Sequence, residues 1–275
     1  MDKKKTSFEK KLVKIVFGIE LQDGQNTLKE ITKVILQVAV IVLSIHTFFY
    51  KPFVIPSQSM VPTLLVGDYV FVSKFKYGFS NYSFPFSPSL FEGRLLDNAF
   101  FTSKPDYGDV AVFRPPHKPD EDWVKRIVGL PGDRVQMIKG CLHVNGKRLD
   151  LKPAGKYQWR DQNGQDFTSD LYIETLPNGK MHPIIKTIPF GQASRDDTPV
   201  YTVPEGHYFM VGDDRDFSGD SRYIEKVGFI PYDNLVGEAQ LIFFSTELPT
   251  IGGAWWQFWK WLTATRYSRT MTLIK

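Results

Sequence analysis

Between Val34 and Tyr50 the chain reads VILQVAVIVLSIHTFFY, a run in which only Gln37, Ser44, His46 and Thr47 are polar. As a helix these seventeen residues reach roughly 25 Å, the short end of a membrane span, and Ile31 and Thr32 can extend it. A buried helix of a soluble protein, or a cleaved secretory signal, can also contain such a run. A cleaved signal lies closer to the start and ends in small residues, whereas this run ends in Phe48-Phe49-Tyr50-Lys51-Pro52. The expectation is therefore one uncleaved transmembrane helix over 34–50, with the lipid bilayer as a partner. Residues 1–33 carry eight lysines against five acids, which predicts a cytoplasmic basic segment there and places residues 51–275 on the far side of the membrane. Leu12, Val13, Val16, Phe17 and Ile19 could form an amphipathic surface helix ahead of the span.

After the run, helical periodicity largely disappears. Asp68–Ser73, Asp109–Phe113 and Trp123–Val128 are rich in β-branched and aromatic residues, which suit strands. Asn145-Gly146, Asn163-Gly164 and Asn178-Gly179 are each the dipeptide that favours a tight β-hairpin. The expected fold is an all-β domain behind one helix, with a smaller inserted β-subdomain at about 140–202, where hairpin signals cluster and no catalytic motif occurs. Two aromatic-rich segments, Phe79–Phe101 and Trp255–Trp261, suit either core packing or contact with lipid headgroups.

At 275 residues the chain can hold one sizeable core or two modest ones, and 42% apolar with 23% charged residues marks it as folded. A net charge of +4 is too small and too scattered to argue for nucleic acid. Cys141 is the single cysteine, which excludes an intramolecular disulfide. His143 is its nearest base, but nothing else there looks catalytic, so Cys141 is read as packing.

Three stretches stand apart. In Ile55-Pro56-Ser57-Gln58-Ser59-Met60-Val61-Pro62-Thr63-Leu64, two prolines restrain the backbone around two serines, so that a hydroxyl can be aimed. A serine needs a base to take its proton, and the five histidines occur in no motif that would orient one. A lysine can serve if burial keeps it neutral. In Trp123-Val124-Lys125-Arg126-Ile127-Val128-Gly129-Leu130-Pro131-Gly132-Asp133, strand alternation over the first five residues places Trp123 and Ile127 on the face of Lys125 and sends Arg126 to the other, an apolar setting for the amine. The third stretch is Gly212-Asp213-Asp214-Arg215-Asp216-Phe217-Ser218-Gly219-Asp220-Ser221-Arg222.

Together, in this order and behind a membrane anchor, these stretches resemble the bacterial type I signal peptidases, membrane-bound serine endopeptidases that remove signal peptides from exported preproteins. The resemblance implies a signal-peptidase-like β-fold, Ser59 as nucleophile and Lys125 as general base. It gives Ser57, with the Ser59 N–H, to the oxyanion hole, and Ser218 to orienting the lysine amine. Arg126 with Asp213, and Asp220 with Arg222, become structural ion pairs. Phe53, Ile55, Pro56, Met60, Leu64, Val70, Asp122, Trp123 and Val124 would line pockets for small side chains at an Ala-x-Ala site. Trp123 is bulkier than the tyrosine expected there, and the lone Cys141 departs from relatives with a disulfide. The resemblance also implies an inner-membrane enzyme with a periplasmic catalytic domain, near the protein-export translocon, with no metal or organic cofactor.

Other readings compete. Asp214–Gly219 followed by Glu225 fits the spacing of a calcium loop, but a strand rather than a helix precedes it and Arg222 would sit among the ligands. Ser-x-x-Lys occurs at Ser7–Lys10 and Ser73–Lys76, neither of them in a helix of the kind that chemistry uses. A membrane-tethered β-domain that binds envelope proteins without cutting them fits the aromatics but leaves Ser59, Lys125 and Ser218 unexplained. Self-cleaving repressors share the Ser/Lys logic but carry a DNA-binding module where this chain has its apolar run.

Overall fold

The computed structural model describes residues 27–48, 50–83, 93–97, 99–100, 102–161, 163–247 and 258–274. The chain divides into two compact units, one ending at Phe48 and one beginning at Phe49. The expected surface helix at Leu12–Ile19, most of the basic N-terminal segment, much of Phe79–Phe101, and Trp255 with Trp256 lie outside the described residues.

In the first unit, helix α1 runs Thr27–Phe48. Its start lies ahead of the apolar run, so Lys29, Glu30 and Lys33 occupy its first turns. Its end differs from expectation too: Tyr50 opens strand β1 (Tyr50–Val54) instead of closing the helix. Pro52 is the physical reason, because it lacks an N–H and pushes Lys51 toward extended geometry. Among the described residues, no helix is long and apolar enough to cross a membrane. Ile31, Ile35, Leu36, Val38, Val40 and Ile41 of α1 are all exposed.

The second unit is β-rich. Its main sheet has eight strands: β1, β2 (Asp68–Ser73), β14 (Leu235–Ser245), β3 (Val110–Phe113), β4 (Trp123–Gly129), β12 (His207–Val211) and β13 (Ile230–Pro231) lie side by side in that order, and β15 (Thr272–Leu273) pairs with β14. Strands β11 (Tyr201–Thr202), β5 (Arg134–Ile138), β6 (Cys141–Val144) and β7 (Lys147–Arg148) form a second sheet. A third is made of β10 (Met181–Lys186), β9 (Asp166–Thr175) and β8 (Asp150–Arg160). The three Asn-Gly dipeptides all sit between paired antiparallel strands, β6 with β7, β8 with β9, and β9 with β10. At the first, Asn145 has φ 54° and Gly146 φ 78°, the left-handed pair that a two-residue hairpin turn demands.

Strand β4 is central, with β3 on one side and β12 on the other. Its residues feed three parts of the core. Val124 joins Val70, Val72 and Val112; Ile127 joins Ala111, Phe113 and Met210; Val128 joins Val135, Leu142 and Phe209. A residue on this strand is thus held by packing on both faces, and so is Lys125.

Candidate active site

Ser59 lies in the loop from β1 to β2. The base of that loop is closed by two backbone bonds, Ile55 N–H to the Asp68 carbonyl at 2.9 Å and Gly67 N–H to the Ile55 carbonyl at 3.0 Å. Within it, Val61 N–H donates to the Gln58 carbonyl and Leu64 N–H to the Met60 carbonyl, which coil residues 58–64 into tight turns. Met60, Val61 and Leu64 are buried. Their burial anchors the turn from below and leaves the Ser59 hydroxyl facing β4.

Lys125 meets it there: its Nζ is 2.7 Å from Ser59 Oγ and donates to the Val124 carbonyl at 2.8 Å. The amine is also 5.7 Å from the Trp123 ring. The side chain is only 4% exposed. Burial lowers its pKa to about 8 from the ordinary 10.5; Asp220 and Asp213 pull it back up, and Arg222 pushes it down again. A neutral amine at hydrogen-bond distance from a buried hydroxyl can accept that proton.

Around this pair runs a network of buried charges. Arg126, on the other face of β4, holds Asp213 with two bonds, Nε to Oδ1 at 2.9 Å and Nη2 to Oδ2 at 2.8 Å. Arg222 holds Asp220 in the same way, at 2.8 Å for each bond. Burial pushes both acids up, but the Arg126 guanidinium and His182 hold Asp213 well below the usual carboxylate range. Arg222, with the Gly212 N–H, lowers Asp220 against the same burial. The backbone of this stretch also touches the nucleophile's loop, since Asp214 N–H donates to the Ser59 carbonyl at 3.2 Å.

Ser57 Oγ lies 3.4 Å from Ser59 Oγ. Ser218 is buried beside them, packed against Gly212. Among the described residues, no hydrogen bond joins Ser218 to Lys125; the second partner of the amine is the Val124 carbonyl. An open cleft of about 510 Å³ runs over the pair, lined by Pro56, Ser57, Gln58, Ser59, Glu121, Asp122, Trp123, Val124, Lys125, Phe217 and Gly219. Of the expected pocket residues, Pro56, Asp122, Trp123 and Val124 line it. Ile55, Met60, Leu64 and Val70 instead lie in the core cluster behind the loop, with Phe53 packed against them. Asp122 is tied to Lys51 at 3.2 Å and Arg114 at 2.9 Å, and Trp123 Nε1 donates to Glu121 at 2.8 Å.

Several residues were not anticipated. Thr63 donates to Asp213 Oδ2 at 2.5 Å and accepts from Arg126 Nη2 at 3.2 Å. His182 stands between Glu174, 3.2 Å from Nε2, and Asp213, 3.3 Å from Nδ1. Glu174 in turn pairs with Arg215, Oε1 accepting from Nη1 at 2.8 Å. The hairpin at Asn178-Gly179 carried a signal for one of these, because its register sets His182 directly opposite Glu174. The acids of the calcium-like loop have other work. Asp214 accepts the N–H groups of Asp216 and Phe217, and Asp216 holds Lys186 and the N–H groups of Thr187 and Ile188. Cys141 is a free, half-buried thiol that accepts from Arg148 at 3.3 Å.

A family profile described as signal peptidase, peptidase S26, matches residues 28–244. The signal peptidase I of Rickettsia typhi (strain ATCC VR-144 / Wilmington) is 42% identical over 224 residues, covering 78% of each chain. That of Rickettsia canadensis (strain McKiel) is 40% identical over 226 residues, covering 80% of this chain and 79% of its own. A crystal structure of a signal peptidase I from Enterococcus faecalis V583 aligns with 50% of this chain and 97% of its own at 26% identity and a TM-score of 0.29. With a profile match over most of its length and relatives at this identity, the chain belongs to the signal peptidase I family of serine peptidases.

Proposed function

We propose that this protein is a membrane-bound serine endopeptidase that cuts signal peptides from exported preproteins after Ala-x-Ala sites, with Ser59 as nucleophile and Lys125 as general base. The observation that carries this is the 2.7 Å approach of the buried Lys125 amine to Ser59 Oγ. Neutral Lys125 takes the hydroxyl proton as Ser59 Oγ attacks the scissile carbonyl. The oxyanion is met by the Ser59 N–H and the Ser57 hydroxyl, donors worth on the order of 3 kcal/mol each. The ammonium of Lys125 then gives its proton to the leaving amine, and the mature protein departs. Lys125 next takes a proton from water, whose oxygen attacks the acyl-enzyme and releases the signal peptide. Ser218 has a supporting part, packed against Gly212 beside the dyad, while the Val124 carbonyl orients the amine in the resting enzyme.

Side chains at the first and third positions before the cut would enter shallow apolar pockets walled by Pro56, Asp122, Trp123 and Val124. Phe53, Ile55, Met60, Leu64 and Val70 form the packed ground behind them. Helix α1 is proposed as the single membrane anchor of a bacterial inner-membrane enzyme, its N-terminus cytoplasmic and residues 51–275 periplasmic, near the export translocon. The exposed apolar side chains between Ile31 and Ile41 support that reading. The sheet of β8–β10 supports an inserted subdomain at about 140–202.

The test is cleavage of an Ala-x-Ala preprotein by the detergent-solubilised protein, with mass spectrometry to locate the cut. Wild type should cut after the second alanine, and folded Ser59→Ala and Lys125→Ala should not. Cutting at that bond by both variants would overturn the dyad. Binding without cutting by wild type would favour a non-catalytic envelope-binding role.

A further inference from the structure

We propose that Arg269 is a positioning residue for the nucleophile, holding the loop that carries Ser59 from a strap formed by residues 258–274; the inference rests on the reading of Ser59 given above. The strap lies beyond residues 28–244, where the family match ends. It consists of helix α2 (Phe258–Ala264), a single helical turn at Tyr267–Arg269 and strand β15. It is fastened along β14, where Leu273 pairs with Leu241 and Thr272 with Ile242, and Ile274 packs on the core cluster that contains Met60 and Leu64.

From this strap Arg269 reaches the loop at two points. Nη2 donates to the Thr63 carbonyl at 2.9 Å and to Asp68 Oδ2 at 2.5 Å, and Nε donates to Asp68 Oδ1 at 3.3 Å. Asp68 is fully buried, and its Oδ2 also accepts the Leu65 N–H at 2.8 Å. Arg269 therefore grips the far end of the turn both directly and through a carboxylate. Thr63 is gripped from two sides: its carbonyl by Arg269, and its hydroxyl by Asp213 and Arg126, the latter next to Lys125 in sequence. One turn, closed by Leu64 N–H to the Met60 carbonyl, connects Thr63 to Ser59. Only a planar fork of donors can bind a carboxylate through two nitrogens and still reach a neighbouring carbonyl, which a lysine ammonium on a flexible stem does not reproduce. Arg266, from the same strap, also stands 3.6 Å from Asp68 Oδ1, but its hydrogen bonds go to the Val66 carbonyl, Ser245 and Glu247 at the base of the loop, whereas Arg269 is the one that donates to the Thr63 carbonyl.

Steady-state cleavage by the full chain in detergent tests this, with Arg269→Ala, Arg269→Lys and Arg266→Ala compared and thermal unfolding recorded for each. A nucleophile released from its hold loses kcat, because misplacement by about 1 Å can cost about a hundredfold. The expected result for Arg269→Ala is a kcat lower by about 10- to 100-fold with KM within about twofold, partly restored by guanidinium at non-denaturing concentration but not by equal urea. Arg269→Lys should fall between, and it supplies the kcat and KM readings if the alanine variant does not fold. Arg266→Ala should lose less, because the Thr63 carbonyl and both Asp68 oxygens keep Arg269 as their donor. Wild-type kcat in a folded Arg269 variant, a loss confined to KM, or an equal loss in Arg266→Ala that follows the melting temperature would overturn the proposal. Ser59→Ala, run in parallel, separates the two readings: cleavage by that variant removes Ser59 as nucleophile whatever the arginine variants do.

Discussion

Gly212 closes β12 at a point where nothing larger than hydrogen fits. A methyl carbon placed there would stand 2.2 Å from Ser218 Oγ, 2.6 Å from Ser218 Cβ and 2.4 Å from the Ser59 carbonyl oxygen. Ordinary carbon–oxygen contacts begin at about 3.3 Å, so Gly212→Ala demands a retreat of about 1 Å. The strand end has little freedom to give way: Gly212 N–H is bonded to Asp220 at 3.0 Å, and the adjoining Asp213 is locked to Arg126. Ser59 must therefore yield, taking its hydroxyl from the 2.7 Å approach to Lys125. The expected loss in kcat is about a hundredfold, with a stability cost of about 1 to 3 kcal/mol for overpacking. Initial rates of preprotein cleavage and a thermal melt measure both. Adding Ser218→Gly removes the contact with that side chain but leaves the one with the Ser59 carbonyl, so the double variant should recover stability and not rate. Cleavage by Gly212→Ala within about threefold of wild type would refute the reasoning.

Three further outcomes are expected. On the proposed mechanism Lys125 acts as a base only when neutral, so with its pKa near 8 the rate should fall as pH drops through that value, by about tenfold per unit below it, and a rate flat between pH 9 and pH 5 counts against its role. Burial raises Asp214 to about 7 from 3.8 in spite of the Phe217 and Asp216 N–H groups it accepts, so the folded state keeps a proton the unfolded chain releases. Stability should then decline as pH rises from about 4 to 7, and Asp214→Asn should raise the melting temperature at pH 8 while leaving it nearly unchanged at pH 4. Thr63→Val keeps shape but leaves Asp213 and Arg126 short of a partner, at a cost of about 1 to 3 kcal/mol and a kcat lower by roughly tenfold, read from melts and steady-state rates; an unchanged kcat would remove Thr63 from the positioning network.

How much of this was legible in the sequence depended on the range of the interaction. Strand β4 could be read because alternation at Trp123, Lys125 and Ile127 is a local pattern, and the Asn-Gly turns could be read because left-handed geometry selects those residues. The helix end was misplaced by two residues, because the aromatic run continues into β1 and only Pro52 marks the change. Ile55, Met60, Leu64 and Val70 were expected at the substrate, yet apolar side chains look alike in sequence whether they line a cleft or lie beneath it. Phe217 and Gly219 were in view within a recognised stretch and carried no expectation, though both reach the cleft. Thr63 and Arg269 had no local signature at all: they lie 206 residues apart and meet only once β14 and β15 have paired.

The two atoms at the heart of the cleft belong to residues 66 positions apart, and the acid that steadies β4 is 87 positions from its arginine. Closing loops of that span costs chain entropy, so both contacts depend on the rest of the sheet to hold their ends together. On the proposed mechanism, activity then requires the assembled sheet. In an unassembled chain Ser59 and Lys125 lack both the 2.7 Å approach and the burial that lowers the amine's pKa.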